Sequence, residues 1–241
     1  MCAKVTVFDP INAINQYTIS NPGGNLVVKV LDYGAIVTNV LFRDKTGRQL
    51  DLVLGFDTID GYKRADNPHF GSLIGRVANR IAGGRFALND TTYQLALNDA
   101  PRHNTLHGGL VGFDKDMWSL SHSTGNSVTL ELVSKDGDQN FPGTVKVTIT
   151  YTVTANNELK LEYTGQSDSS PGSKSTIINL TNHSYFNLNG CTDPQAVLAL
   201  NHTVRMNADQ YLEFNAEQIP DDRVLRVSDV PVMDFTGPKF T

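Results

Sequence analysis

Thr144-Val145-Lys146-Val147-Thr148-Ile149-Thr150-Tyr151-Thr152-Val153-Thr154 is the stretch that decides the fold. Val145, Val147, Ile149, Tyr151 and Val153 share one face, and Thr144, Lys146, Thr148, Thr150 and Thr152 share the other, the period of two that marks a half-buried strand. Asn156-Asn157 supplies a turn. Glu158 to Tyr163 then repeats the pattern, with Leu159, Leu161 and Tyr163 opposed to Glu158, Lys160 and Glu162, so the pair reads as an antiparallel hairpin. Its register is well specified, because a slip by one residue would turn three charges toward the core.

Outward from this hairpin the same alternation recurs. Arg85–Leu88 and Thr92–Leu95, flanking Asn89-Asp90-Thr91, predict a second hairpin. Further strands are expected at 26–31, 36–42, 52–56, 128–133, 175–180 and 197–206, separated by Gly, Asp, Asn and Pro clusters. Helical periodicity is nearly absent. The expectation is one all-β domain over residues 1–241, a sandwich or barrel without internal repeats. The Ser-rich stretch 167–175 is too short to serve as an interdomain linker. Residues 97–117 abandon the alternation for a long polar loop, the kind of segment that commonly carries function.

With 241 residues the chain is long enough to build a large core without staples. Twenty basic against 25 acidic residues give a net charge of -5, and no Lys/Arg block interrupts this balance, which argues against nucleic acid or an anionic membrane as a partner. Cys2 and Cys191 are too few for a disulfide framework and fit a reducing compartment. The first residues lack a signal-peptide core, and no run approaches ~18 apolar residues, so a cytoplasmic location is expected. The glycosylation-like tripeptides at Asn89, Asn179, Asn182 and Asn201 are then chance matches.

Two histidines stand in polar frames: His107 in Thr105-Leu106-His107-Gly108-Gly109, and His183 in Asn179-Leu180-Thr181-Asn182-His183-Ser184-Tyr185-Phe186-Asn187-Leu188. Imidazole gives and takes a proton near neutral pH. A third frame, Gly75-Arg76-Val77-Ala78-Asn79-Arg80-Ile81, adds an amide and two guanidinium forks suited to hydroxyls. Together the frames suggest a polyol site. The residues alone leave plainer readings open: histidines satisfied by their neighbours, Gly108-Gly109 as a tight turn, and Asn79 and Arg80 as a turn and an ion pair. His69, His122 and His202 carry no such frame and default to the surface or to packing. His103 and His107 would share a helix face as metal ligands, but Pro101, Asn104, Gly108 and Gly109 oppose a helix, so no metal site is expected. A Gly-x-Ser-x-Gly elbow and a phosphate-cradling Gly-Lys-Ser/Thr are both missing.

The order of these frames resembles the aldose 1-epimerase (galactose mutarotase) family. Gly75–Ile81 comes first, then Leu106-His107-Gly108-Gly109 with Gly112-Phe113-Asp114-Lys115 and Trp118, then Thr181–Leu188, Ala208-Asp209-Gln210-Tyr211-Leu212 and Ile219-Pro220. The resemblance implies a large antiparallel β-sandwich of the supersandwich type and cofactor-free interconversion of the α and β anomers of aldohexoses such as galactose and glucose. By position, His183 would be the proton donor to the ring oxygen and His107 a second histidine near that oxygen. Asn79 and Arg80 would bind hydroxyls, with Ser184 and Tyr185 lining the cleft. The family's chains continue past the equivalent of Met233-Asp234-Phe235-Thr236, and that later part holds its glutamate base, a substrate-binding aspartate in a Gly-Phe-Asp context, and further strands. This sequence ends at Thr241. Asp114, Asp116, Glu213 and Glu217 stand open as substitute bases. The alternative expectation is a carbohydrate-binding protein without catalysis, and a third is an interaction module using an unpaired strand edge; the sequence sets no oligomeric state.

Overall fold

The computed structural model describes residues 2–191 and 201–240. Its first sheet is a meander of β1 (Lys4–Asp9), β2 (Ile14–Ser20), β3 (Leu26–Leu31), β4 (Val37–Arg43) and β5 (Gln49–Asp51), each paired antiparallel with the next. A short helix, α1 (Ile59–Lys63), leads to the two-residue strands β6 (Leu73–Ile74) and β7 (Arg80–Ile81). The hairpin β8 (Arg85–Leu88) and β9 (Thr91–Gln94) follows, then β10 (Thr105–Leu106). A second meander comprises β11 (Ser119–Ser123), β12 (Ser127–Ser134), β13 (Val145–Val153) and β14 (Leu159–Ser167). The remaining elements are β15 (Thr181–Asn182), β16 (Thr203–Val204), the hairpin β17 (Gln210–Phe214) with β18 (Pro220–Arg226), and β19 (Lys239–Phe240), which pairs with β16.

The deciding hairpin forms in the expected register, with Val153 opposite Leu159, Tyr151 opposite Leu161 and Ile149 opposite Tyr163. All five apolar residues of β13 are buried, and Lys160 and Glu162 pair with each other in solvent at 2.8 Å. These five face Tyr17, Ile19, Val28, Val30, Val37 and Val40 of the first sheet across one shared core, so two antiparallel sheets make a sandwich. Each such side chain contributes roughly 1.5–3 kcal/mol by leaving water. Tyr151 also donates its hydroxyl to the Ala35 carbonyl at 2.6 Å, tying the sheets together.

Several expected strands differ in extent. β4 begins at Val37 because Gly34 and Ala35 turn the chain at φ 62° and 46°. The 52–56 strand does not form: the ladder ends at Asp51, whose carboxylate takes the Val40 and Val53 N–H groups, and Val53 makes an isolated bridge to Phe186. Residues 175–180 contribute one parallel bridge, Asn179 to Val77, rather than a strand. The second hairpin turns through Asn89-Asp90 alone, with Asn89 at φ 52° and Thr91 already in β9. Of the 197–206 strand, residues 197–200 lie outside the described residues, and Thr203–Val204 forms β16.

Candidate active site

Two pairs of two-residue strands assemble the site from four distant segments. β15 runs antiparallel to β6, Thr181 opposite Ile74 and Asn182 opposite Leu73. His183 follows directly; its N–H donates to the Ser72 carbonyl at 2.9 Å, and its carbonyl accepts from Gly71 N–H at 3.2 Å. The Asn182 side chain closes the turn, donating to the Gly71 carbonyl and accepting from Ser184 N–H. β10 pairs with β7, Leu106 opposite Arg80, so His107 lands beside Asn79. His107 N–H donates to the Asn79 carbonyl at 3.1 Å, and Asn79 N–H donates back to His107 Nδ1 at 3.0 Å. Asn98 clamps this loop by donating to the Leu106 and Gly109 carbonyls and accepting from Leu106 N–H.

The two framed histidines thereby meet, with ring centroids 5.2 Å apart. A third joins them. His69, read from sequence as a surface or packing residue, has its ring 4.9 Å from His107 and 5.7 Å from His183. Its Nδ1 lies 3.0 Å from Oδ2 of Asp114, a carboxylate only 7% exposed. The Tyr185 ring packs 5.2 Å from His183 and 5.2 Å from Phe70. His69 has no flanking polar frame to announce it; its partner comes from the Gly-Phe-Asp-Lys loop 45 positions away.

His69, Asn79 and His107 all adopt left-handed backbone, at φ 62°, 63° and 51°. Such conformations cost about 1–3 kcal/mol each and persist where the surroundings impose them. Gly108 continues the turn at φ 86°, and a Cβ there would sit 2.0 Å from the Gly75 carbonyl oxygen, so glycine is required.

Burial pushes the His107 imidazole down to about 4, with His69 and His183 adding to the effect. It is therefore neutral at pH 7. Because Nδ1 accepts a backbone N–H, the ring proton sits on Nε2, and His107 presents a donor. Burial, and then His69, lower His183 as well. Asp116 moves the other way, raised to about 6 by burial and by Asp138 and Asp114.

The two arginines of the third frame part company. Arg76 is buried, donating to the Pro142, Gly143 and Lys135 carbonyls and to the Thr176 and Ser134 hydroxyls, so its proposed hydroxyl-reading fork is a structural tie. Arg80 anchors Nε on Asp99 at 2.7 Å; burial pushes the Asp99 carboxyl up, but Arg80, Asn104 and Arg102 together hold it below its ordinary value. Asn79 Oδ1 accepts from Arg80 Nη1 at 3.4 Å. Asn79 and Arg80 line a cavity of about 370 Å³ with Phe214 and Gln218, two residues no sequence frame had singled out. The tip of the β17–β18 hairpin is held there by Asn104, which donates to the Glu217 carbonyl at 3.1 Å. Ser184 is partly buried beside His183, and Tyr185 is 38% exposed. Glu213 is engaged with Arg223 at 2.9 Å, so of the four open carboxylates Asp114 is the one in the histidine cluster. Among the described residues, no group of three or more His, Cys, Asp or Glu is arranged to hold a metal ion, and no helix is long and apolar enough to cross a membrane.

A family model described as aldose 1-epimerase matches residues 15–241. Galactose mutarotases from Bos taurus and Homo sapiens are each 41% identical over 202 residues, 84% of this chain and 55% of theirs. An aldose 1-epimerase from Haemophilus influenzae is 40% identical over 210 residues, 87% of this chain and 58% of its own. The chain thus spans little more than half the length of these curated relatives. Among solved structures, an aldose epimerase homologue from C. elegans superposes with a TM-score of 0.81 at 32% identity, covering 92% of this chain and 64% of that one. A galactose 1-epimerase from Lactobacillus acidophilus gives 0.81 at 28% identity, covering 99% and 66%.

Proposed function

The chain belongs to the aldose 1-epimerase family, and from that premise we propose that it interconverts the α and β anomers of an aldohexose such as galactose or glucose by acid–base ring opening. The observation that supports this most is the meeting of the His107 and His183 rings, 5.2 Å apart, beside Asn79. A single pyranose spans that distance.

Opening a hemiacetal needs a proton delivered to the ring oxygen while the anomeric hydroxyl loses one. His183 is the donor to the ring oxygen. As the C1–O5 bond breaks, its electron pair takes that proton, C1 and O1 become a carbonyl, and rotation about C1–C2 exposes the other face before closure. His107, neutral with Nε2–H outward, donates a hydrogen bond to sugar oxygen near the breaking bond. Arg80, fixed through Nε by Asp99, presents its outer edge to hydroxyls, as does Asn79. Ser184 and Tyr185 complete the wall on the His183 side.

Anomer exchange of galactose or glucose by the full chain, followed by NMR, tests this. The wild type should exceed buffer, and His183→Ala should lose ~10²–10⁴-fold. Undiminished exchange in that variant would remove His183 as the donor. Saturable sugar binding weakened by Arg80→Ala, with no exchange at all, would mark a binding protein and contradict the catalytic reading.

A further inference from the structure

We propose that Phe214 and Gln218, at the tip of the β17–β18 hairpin, are specificity-determining residues that read the C3–C4 edge of the sugar, where galactose and glucose differ. This rests on the reading of the site as an anomer-exchange centre and names the groups that choose among its substrates.

The cavity of about 370 Å³ has two walls, Asn79 and Arg80 on one side and Phe214 and Gln218 on the other. It adjoins the histidine cluster through Asn79, whose N–H donates to His107 Nδ1 and whose Oδ1 accepts from Arg80 Nη1. One residue ties the walls together. Asn104, only 2% exposed, donates through Nδ2 to the Glu217 carbonyl beside Gln218 and accepts the Gly83 N–H on Oδ1. Its own carbonyl accepts the N–H of Asp99, the carboxylate that holds Arg80 Nε, at 3.1 Å. The hairpin tip is also closed on itself: Asn215 Oδ1 accepts the Glu217 and Ile219 N–H groups, and Gln218 N–H donates to the Asn215 carbonyl at 2.9 Å. The spacing between the walls is therefore set by backbone contacts, the preorganisation that telling two epimers apart by the place of one hydroxyl demands.

Which part of the sugar arrives there follows from pyranose geometry. The reacting bond joins C1 to the ring oxygen, and the edge of a six-membered ring opposite that bond is C3–C4. With C1 and the ring oxygen at His183 and His107, the opposite edge extends past Asn79 toward Arg80 and the hairpin. The two walls offer complementary chemistry. A guanidinium only donates, so Arg80 serves a hydroxyl oxygen; the Gln218 amide both donates and accepts, so its carbonyl takes the hydroxyl hydrogen that Arg80 cannot. The Phe214 ring supplies an apolar surface for the C–H groups of the sugar. Inverting C4 swings its hydroxyl from the rim of the pyranose to one face, which changes its reach to both polar groups, and a site built to bond a hydroxyl discriminates strongly when that bond is lost.

The test is a cycle between protein and substrate, with anomer exchange by the full chain measured as kcat/KM for galactose, glucose, the 4-deoxy sugar common to both, and 2-deoxygalactose. Position 218 has φ 57°, so Gln218→Gly removes the amide and keeps the turn. Deleting the C4 hydroxyl of galactose should cost the wild-type chain ~10-fold or more, the worth of a hydrogen bond to a charged group. In Gln218→Gly that penalty should shrink ~3–10-fold and the galactose-to-glucose ratio should move toward one, while the C2 penalty stays as in the wild type. Phe214→Ala should lower kcat/KM ~3–10-fold for the parent and deoxy sugars alike. Equal wild-type kcat/KM for galactose and glucose, an unchanged C4 penalty in Gln218→Gly, a shrinking C2 penalty, or full activity of Phe214→Ala would each overturn the assignment. If His183→Ala abolishes exchange while both hairpin variants behave as wild type, the ring-opening reading stands and this inference alone falls; if the wild-type chain shows no exchange, both fall.

Discussion

Replacing Arg76 by Met should destabilise the protein by about 3–5 kcal/mol, the loss typical of stranding the partners of a buried ion. The guanidinium donates to three backbone carbonyls, those of Lys135, Pro142 and Gly143, and to the hydroxyls of Ser134 and Thr176. The hydroxyls can re-pair, Ser134 with Asp138 for example, to which it already donates. The Lys135 carbonyl keeps the Asp138 N–H at 3.1 Å, but those of Pro142 and Gly143 lose the Arg76 donor, and each stranded acceptor costs roughly 1–3 kcal/mol. Against this, burial already penalises the Arg76 charge, pulling it below its ordinary value, and that penalty is refunded when the charge goes. Methionine fills the stem and keeps contact with the Phe141 ring, over which the guanidinium lies at 5.6 Å, so little cavity term is added. With a urea slope near ~3 kcal/mol/M for a chain of this size, the midpoint should drop by ~1–2 M. Arg76→Lys should fall between, because one ammonium cannot serve both walls of the site. A midpoint shift below ~0.3 M for the methionine variant would refute the reasoning.

Asp116→Asn should stabilise the fold at pH 7.5. The carboxyl is raised to about 6, so its ionised form opposes folding above that pH and the opposition disappears below its unfolded value of 3.8. About two pKa steps discounted for solvent screening give ~1–2 kcal/mol; urea melts showing no gain at pH 7.5 would contradict this. His107 has the opposite sign, since a folded value near 4 against 6.5 means the unfolded chain binds the extra proton, and stability falls as pH drops from 6.5 toward 4. Its ¹⁵N spectrum should stay that of the neutral Nε2–H tautomer at pH 5.5, and a midpoint near 6.5 would show the ring to be unburied. Gly108→Ala should cost more than about 2 kcal/mol, because its Cβ meets the Gly75 carbonyl and not a movable side chain; a loss within ~0.5 kcal/mol would mean the His107 turn is looser than described.

Alternation made the β13–β14 hairpin legible, because one face of that strand pair is wholly buried and the other wet, which a period of two records directly. The 52–56 and 175–180 segments carry similar letters but spend their backbone bonds on the Asp51 side chain and on single bridges, which no local pattern reveals. His107 and His183 were visible through their polar frames. Arg76 and Arg80, four positions apart, would share a face of a regular strand; Asn79 at φ 63° breaks that regularity and sends one inward and the other to the cavity. His69, Phe214 and Gln218 were invisible because their places depend on partners brought from elsewhere in the chain: Asp114 for the first, and the Asn104 contact to the hairpin tip for the others.

The most direct measurement of the central claim is a galactose titration of the chain labelled with ¹⁵N in histidine and arginine side chains. One sugar bridging the cluster and the cavity should shift the ring nitrogens of His69, His107 and His183 and the Arg80 side-chain signals together, along a single binding curve, while His122 and the buried Arg76 stay still. Shifts at Arg80 without the histidines, or none at any of the four at saturating sugar, would contradict the claim that these residues form one carbohydrate site.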